Sequence, residues 1–320
     1  MAAIARRLAP LVVAVALLLA LAPGVSALSA RFPTQSLGNR GSDVRAIQGF
    51  LVAHGSTVAI DGIFGTTTRD AVAHFQATSS LTANGVVGDA TWAKLVMTVR
   101  SGDRGEAVRV LQRQLNAKRR AGLTVSGVFG TATRSAVLAF QRHMSLIASG
   151  VVGSGTWRWL IWHYELPVFN ARTLCDYSVG NGPANWGTGA AIGQLKAAAA
   201  AFARTGHGRV AVGDISREHG GDIAGHVHHE VGLDVDVRPI RKAGNQCRWG
   251  TTWRSSSYDR AATRVLINAV RAAAPGHVKL IYFNDPVLIG EGLTTWYAGH
   301  DDHLHIRYCE LSHPLARYRC

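Results

Sequence analysis

Two histidine-rich segments contain the residues whose types and spacing could do chemistry. The first is Gly225–Pro239, which reads GHVHHEVGLDVDVRP, and the second is Gly299–Tyr308, which reads GHDDHLHIRY. Neutral imidazole nitrogens and carboxylate oxygens are ligands that zinc prefers, and a catalytic zinc keeps three protein ligands and one open position. The two segments therefore predict a metal site. Seven of the fourteen histidines lie in or just before them: His219, His226, His228, His229, His300, His303 and His305.

Strand geometry predicts which of these side chains can meet. Alternate residues on a strand point to the same face, so His303 and His305 share one face, and Asp234 and Asp236 share another. His229 precedes Asp236 by an H-x(6)-D spacing. One histidine of the H-x-H pair can then bind metal while its neighbour transfers a proton beside it. The alternative is a chance grouping of surface histidines.

The H-x(6)-D spacing followed by H-x-H resembles the lysostaphin/D-Ala-D-Ala metallopeptidase superfamily. The fuller pattern, GHxxHxxGLDVD with a later HxxHxH, resembles its penicillin-insensitive murein endopeptidase branch, and the resemblance covers residues 208–308 well. By position it implies that His229, Asp236 and His305 bind zinc and that His303 is the catalytic histidine.

The same resemblance marks His226 and His300 as further site histidines. His228 stands where the family usually has a small polar residue, which adds a competing imidazole. No counterpart of a second metal-binding Asp and His is found, so one zinc ion per chain is expected.

Several neighbouring residues have two interpretations. Arg217 precedes a glycine-rich loop and is a candidate clamp for a substrate carboxylate, or a member of a structural ion pair. Asp234 is a candidate to orient a histidine, or makes a contact at the strand end. His219 and His228 are expected to be solvated loop residues. The Trp296–Tyr297 pair either walls a substrate groove or, as we expect, is buried in the core.

The N-terminus has the pattern of a secretory signal over residues 1–27. Arg6 and Arg7 precede the apolar run Leu11–Ala22, and Val25–Ala27 is a small-residue cleavage site. The run is short for a membrane span, although an uncleaved anchor is the alternative. A secreted protein of the cell wall or periplasm is expected, with no membrane contact after signal cleavage.

Charge and cysteine content agree with export. The net charge of +14 suits an anionic cell wall and is spread along the chain, so nucleic acid is not expected as a partner. An even number of cysteines in an exported domain predicts two disulfides, with three possible connectivities. No C-x-x-C spacing favours thiolate binding of zinc. The four cysteines all lie in the C-terminal half: Cys175, Cys247, Cys309 and Cys320.

An internal repeat of 64 to 65 residues precedes the histidine-rich half. Arg40–Gln48 recurs as Arg104–Gln112, and the later pair Phe75–Gln76 recurs as Phe140–Gln141. Apolar residues at i, i+3 and i+7 predict three short helices per repeat, with Thr66 and its counterpart as N-caps. The pattern resembles the three-helix peptidoglycan-binding domain attached to wall hydrolases.

Four segments follow from these observations: a signal at 1–27, peptidoglycan-binding repeats at 35–98 and 99–163, and a zinc peptidase domain at 168–320. The expected fold is therefore multidomain, with two small all-α modules before an α+β domain. Apolar residues in the last segment, 168–320, follow the helical period in some stretches and the strand period in others. This mixture predicts a mainly antiparallel sheet with helices.

The sequence predicts a monomeric, secreted zinc metallopeptidase that hydrolyses peptide bonds in peptidoglycan. The resemblance implies an endopeptidase of D-alanyl cross-links. A D,D- or L,D-carboxypeptidase that trims stem peptides is the nearest alternative. A non-catalytic wall-binding protein is the alternative from another class, and the intact ligand set argues against it.

Overall fold

The computed structural model describes residues 30–178, 184–223 and 226–320. The predicted signal, residues 1–27, lies outside these ranges. Over the described ranges no helix combines the length and the apolar character that a membrane crossing requires. Helices make up the repeats, and a sheet with further helices follows them. The predicted fold class is confirmed.

Each repeat contains three short helices, as the apolar spacing predicts. On the first of them Val44, Ile47 and Leu51 form the expected buried stripe. Isolated helices shorter than about 12–15 residues are marginal in water, so this shared apolar face is what stabilises them. Their bounds are α1 (Ser42–Ala53), α2 (Thr66–Thr78), α3 (Asp89–Leu95), α4 (Glu106–Arg119), α5 (Thr131–His143) and α6 (Ser154–Trp162).

The predicted N-caps of the second helices are wrong by one position. Thr66 is the first helical residue of α2, and its N-cap is Gly65, which has no side chain to accept a capping bond. The turn is held instead by the buried amide of Gln48. This amide donates to Thr68 Oγ1 at 3.0 Å and accepts from the backbone N–H of Gly62 at 2.8 Å. The equivalent glutamine of the second repeat makes the same contacts.

The two repeats share one hydrophobic core. A single cluster of buried apolar side chains runs through both. The ring of Phe50 meets the edge of Trp157 with centroids 5.0 Å apart. Across the same interface, Lys118 Nζ lies 3.0 Å from Asp43 Oδ1, and both side chains are buried. The repeats therefore pack as one helical unit.

The C-terminal region is built on one sheet with mainly antiparallel pairing, as predicted. Its order is β1-β2-β3-β5-β4, in which β1 and β2 are parallel and the other neighbours antiparallel. The central strands β3 and β5 are neighbours although they are far apart in the sequence. The strands are β1 (Leu174–Asp176), β2 (Val210–Val212), β3 (Asp234–Val237), β4 (Val278–Tyr282) and β5 (Leu304–Tyr308).

Among the described residues, three α-helices accompany the sheet. The two long ones, α7 (Gly189–Ala203) and α8 (Arg260–Ala273), pack against each other and share a core with the strands. The short α9 (Pro286–Gly290) begins after Asp285, whose carboxylate caps it by accepting from Val287 N. The long helices therefore share one apolar core with the strands, and the central strand β3 is buried along its whole length.

The repeats are docked closely on the sheet domain. A Cβ at Gly193 of α7 would lie 2.4 Å from the Cα of Gly41, so only glycine permits this approach of α7 to the start of α1. Arg31 pairs with buried Glu310 at 2.9 Å. The repeats therefore have a defined position against the sheet domain.

The structure decides the disulfide connectivity. Cys175 pairs with Cys247, and Cys309 pairs with Cys320. The first disulfide joins the edge strand β1 to the loop after β3, and the second closes the C-terminal loop after β5. Both predicted disulfides are present.

Replacing Asp43 by alanine should destabilise the repeats strongly, because it leaves the Lys118 ammonium buried without its carboxylate. We expect a loss of about 3–5 kcal/mol in the free energy of unfolding, measured by urea denaturation. Asp70→Ala, which removes an exposed pair with Arg69, is the control and should change little. An equally small loss for Asp43→Ala would mean that Lys118 reaches water without this partner.

Candidate metal centre

The register of β3 and β5 brings the two histidine-rich segments together. Asp236 lies directly opposite His305, and Asp234 lies opposite Arg307. Directly paired residues of an antiparallel sheet have their Cβ atoms about 4.5–5.5 Å apart, so their side chains meet. Neighbouring strands therefore supply the predicted carboxylate and histidine.

Three buried side chains form a compact set of nitrogen and oxygen atoms. Asp236 Oδ1 lies 3.0 Å from His305 Nδ1, and Asp236 Oδ2 lies 3.3 Å from His229 Nε2. The rings of His229 and His305 are perpendicular, with centroids 4.7 Å apart. The structure thus brings together the three residues that the sequence predicts as ligands.

The second ring nitrogen of each histidine has its own acceptor. His229 Nδ1 donates to the carbonyl of Ile215 at 3.0 Å, and His305 Nε2 donates to Asp234 Oδ1 at 2.9 Å. Such bonds fix the tautomer and ring orientation of histidines that bind metal through the other nitrogen. His229 Nε2 and His305 Nδ1 are therefore the available donor atoms, and both face Asp236.

The electrostatics of this set favour a cation. Burial opposes the charged imidazolium, but hydrogen bonds to Asp234 and Asp236 raise the pKa of His305 to about 9. Burial would also raise the pKa of Asp236, yet the charges and hydrogen bonds of His229 and His305 hold it well below its usual range. A metal ion would compete with a proton for the same nitrogen lone pair of His305. The donor set fits a zinc ion.

His303 and His300 lie at the edge of this set. His303 Nε2 is 3.9 Å from Asp236 Oδ1, and its Nδ1 is 2.8 Å from Asp302. Burial opposes protonation of His303, but Asp302 and Asp236 outweigh it and raise its pKa. The rings of His300 and His303 have centroids 4.6 Å apart. Both histidines therefore lie beside the donor set.

His226 is a geometric competitor of His305. One ligand atom each from His226, His229 and Asp236 lie within 4.8 Å of one another. However, His226 Nε2 is 3.2 Å from Asp214, and its side chain is partly exposed. His305 is buried and only 3.0 Å from Asp236. His305 is the better placed of the two, because Asp234 holds its Nε2 and leaves its Nδ1 facing Asp236.

A cleft of about 740 Å³ opens beside the donor set. Asp236 and His303 line it, together with Arg238, whose guanidinium lies 4.1 Å above the ring of Tyr177. Thr251, Thr252 and Ser255 add hydroxyl groups to the lining, and Asp214 and Asp302 add carboxylates. The cleft thus offers a cation, hydroxyl groups and carboxylates beside the buried donor atoms.

Comparison with protein families assigns the domains. Residues 40–95 and 104–160 match the peptidoglycan binding domain, and residues 181–275 match the penicillin-insensitive murein endopeptidase family. The chain carries two peptidoglycan-binding repeats and a murein endopeptidase domain. The predicted resemblances are confirmed. The endopeptidase match contains the first histidine-rich segment and ends before the second.

Comparisons with individual proteins cover shorter stretches. A solved peptidoglycan-binding protein from Clostridioides difficile, in complex with glutamine hydroxamate, is 44% identical over 19% of this chain, with a TM-score of 0.19. A solved endolysin of Burkholderia phage AP3 is 39% identical over 29% of this chain, with a TM-score of 0.20. The chain spans 39% and 35% of these two proteins. The comparison with curated proteins finds no match.

Asp234 organises the candidate metal centre of the endopeptidase domain. Its Oδ1 accepts from His305 and from Arg307 Nε, the latter at 2.7 Å. Its Oδ2 accepts from Tyr318 OH at 2.8 Å and from the backbone N–H of His229 at 3.2 Å. Of the two interpretations of Asp234, orientation of a histidine is the one that these contacts support. No sequence pattern marks Tyr318 or Arg307 as its partners.

The bond from His229 N to Asp234 also holds an uncommon backbone conformation. His229 has a φ of 73°, in the left-handed region that residues other than glycine rarely adopt. Such strain persists where surrounding contacts determine it, and it clusters at functional sites. Here it aims the His229 ring at Asp236.

The expectation that His219 and His228 are solvated loop residues is wrong for His228 and incomplete for His219. Both ring nitrogens of His228 are buried without a hydrogen bond to any described residue, and its ring lies 5.4 Å from that of His305. Burial lowers the pKa of His228 to about 4. His219 is exposed but joins a separate cluster with His143 and Glu218. Loop position alone does not reveal burial, because other segments cover the loop.

The remaining candidates lie on the surface. Arg217 is exposed and forms no ion pair within the described part of the chain, so the structural ion pair is not found there. Trp296 is 63% exposed, which makes the expectation of a buried core residue wrong. Tyr297 stacks on Tyr282 with centroids 4.6 Å apart and contacts His228 and His300. This aromatic group adjoins the metal centre.

Asp234→Ala should destabilise the endopeptidase domain, because Arg307 then stays buried without its carboxylate. We expect a loss of about 3–5 kcal/mol in the free energy of unfolding by urea denaturation. Tyr318→Phe removes a single hydrogen bond to the same carboxylate and should cost about 1–3 kcal/mol. Equal losses in the two variants would show that Arg307 does not depend on Asp234.

Proposed function

We propose that the chain is a zinc-dependent endopeptidase that cleaves D-alanyl cross-links of peptidoglycan outside the cytoplasm. The observation that carries the proposal is the buried set of His229, Asp236 and His305 donor atoms in a domain of the murein endopeptidase family. The two repeats support peptidoglycan as the target. The signal-like N-terminus, the basic charge and the two disulfides support export.

The proposed ligands are His229 Nε2, Asp236 and His305 Nδ1, with one zinc ion in this centre. Zinc, when bound, supplies Lewis-acid polarisation of the scissile carbonyl and makes a water molecule more acidic. Ile215 and Asp234 keep the two imidazoles in the orientation that presents these nitrogens. The surrounding burial keeps bulk water from competing for the same atoms.

His303 is the proposed acid–base residue. Its Nδ1 is held by Asp302, so that its Nε2 points toward the donor set at 3.9 Å from Asp236 Oδ1. In this position it can take a proton from the attacking water and pass it to the leaving amine. His300 packs on His303 and limits the rotation of its ring.

The cleft supplies substrate binding in this proposal. Arg238 is the cation that faces the cleft and can pair with a carboxylate of the stem peptide. Arg217 is a second candidate for such a carboxylate, because it is exposed and free of an ion pair to described residues. Carboxypeptidase action on stem peptides stays the alternative, and the products separate the two activities.

The first test addresses the metal. His229→Ala, Asp236→Ala and His305→Ala should each lose the zinc of this centre, because three protein ligands are the minimum for a held catalytic zinc. Elemental analysis of the purified variants measures this loss. His226→Ala is the matched control and should retain the ion. Retention by His305→Ala together with loss by His226→Ala would make His226 the third ligand.

The second test addresses the reaction. Wild-type protein on purified sacculi should release uncross-linked muropeptides, identified by mass spectrometry. His303→Ala should keep its zinc while kcat falls by about 10²–10⁴-fold, with a smaller change in KM, because the proton transfer is made only in the transition state. Shortened stem peptides without loss of cross-links would identify a carboxypeptidase. Full activity of His303→Ala would remove His303 from the mechanism.

A further inference from the structure

A second group of metal-ligating side chains lies away from the proposed catalytic centre. His143, His163, Glu218 and His219 each offer one ligand atom, and these four atoms all lie within 4.8 Å of one another. His143 ends α5, His163 directly follows α6, and the other two belong to the loop between β2 and β3. We call these four residues the junction cluster, because they join the second repeat to the endopeptidase domain.

His163 is oriented as a metal-binding histidine would be. It is fully buried, and its Nδ1 donates to the carbonyl of Tyr164 at 2.6 Å. Its Nε2 therefore presents a lone pair to the cluster, 3.4 Å from Glu218 Oε1. Burial lowers the pKa of His163 to about 3, so the ring is neutral. A neutral imidazole fixed by a backbone carbonyl is the usual arrangement of such ligands.

The first repeat shows that these histidines are not needed for the three-helix fold. The later motifs of the two repeats are 65 residues apart. At this offset the first repeat has Thr78 where the second has His143, and Thr98 where the second has His163. Both repeats nevertheless form the same three helices. The histidines occur only in the repeat that faces Glu218 and His219, which indicates a role at this junction.

A cation of the chain itself already lies in the cluster. Arg119 Nη1 is 3.0 Å from His143 Nε2 and 3.3 Å from His163 Nε2, and it also contacts Glu218. The three acceptors therefore converge on one positive centre. Arg119 is the last residue of α4 and its side chain is 27% exposed, so it can turn into solvent. A metal ion would exchange with the guanidinium at the same acceptors.

We propose that the junction cluster is a second zinc site, formed by His143, His163, Glu218 and His219. Four protein ligands and no open position are typical of structural zinc. The site would lock the second repeat against the loop that leads into the first histidine-rich segment. It uses none of the residues of the proposed catalytic centre, so the two sites can be tested separately.

The test is a zinc titration of the full-length, metal-free protein, with Co²⁺ absorption as a second readout of tetrahedral binding. We expect two equivalents of zinc for the wild type and one for His163→Ala, for Glu218→Gln and for His305→Ala. Arg119→Ala should bind the junction zinc about tenfold or more tightly, because a neighbouring positive charge is removed. His74→Ala, which changes an exposed histidine of the first repeat, is the control and should bind two equivalents.

Three results separate the possibilities. If the wild type binds only one equivalent of zinc, and this zinc is lost in His305→Ala but kept in Glu218→Gln, the junction site is overturned and the proposed function stays intact. If the single equivalent of zinc bound by the wild type is instead lost in Glu218→Gln and kept in His305→Ala, the proposed catalytic zinc centre is overturned. The third result concerns Arg119→Ala. If this variant has a lower melting temperature than the wild type and no higher affinity for zinc, the cluster is an arginine ion-pair network and the proposal is wrong.

Discussion

The candidate metal centre depends on one buried carboxylate. Asp234 is fully buried, which is costly for a charge unless it is paired and hydrogen-bonded. Four groups donate to it. They are the backbone N–H of His229 in the loop before β3, the side chains of His305 and Arg307 on β5, and the hydroxyl of Tyr318 in the C-terminal loop. Satisfying this one charge therefore orders three segments at once. The two proposed zinc-binding histidines are oriented as a consequence.

The C-terminal disulfide belongs to the same arrangement. Cys309 follows β5 directly, and Cys320 closes the loop that contains Tyr318. The hydroxyl that donates to Asp234 is thus held by a covalent loop rather than by a free chain end. The backbone of this loop also pairs with Glu310, which binds Arg31 ahead of the first repeat. The peptidoglycan-binding and endopeptidase parts are thereby linked through the surroundings of the candidate metal centre.

This packing changes how the repeats are understood. Linked modules raise the local concentration of an enzyme at its substrate without any contact between them. Here the glycine contact of α1 with α7 and the junction around Glu218 give the repeats a defined position. Binding to peptidoglycan would therefore present the cleft in a preferred orientation to the wall.

Local patterns were enough to predict much of this protein. Residue types and spacing predicted His229, Asp236 and His305 as ligands, and the structure brings these three side chains together. Apolar periodicity with internal repetition predicted the helical modules. Only the tertiary structure decided the pairing of β3 with β5, the pairing of Cys175 with Cys247, the partners of Asp234, and the burial of His228. The reason is physical. Periodicity and strand alternation are properties of neighbouring residues, whereas register, disulfide pairing and burial depend on segments that meet only after the chain has folded.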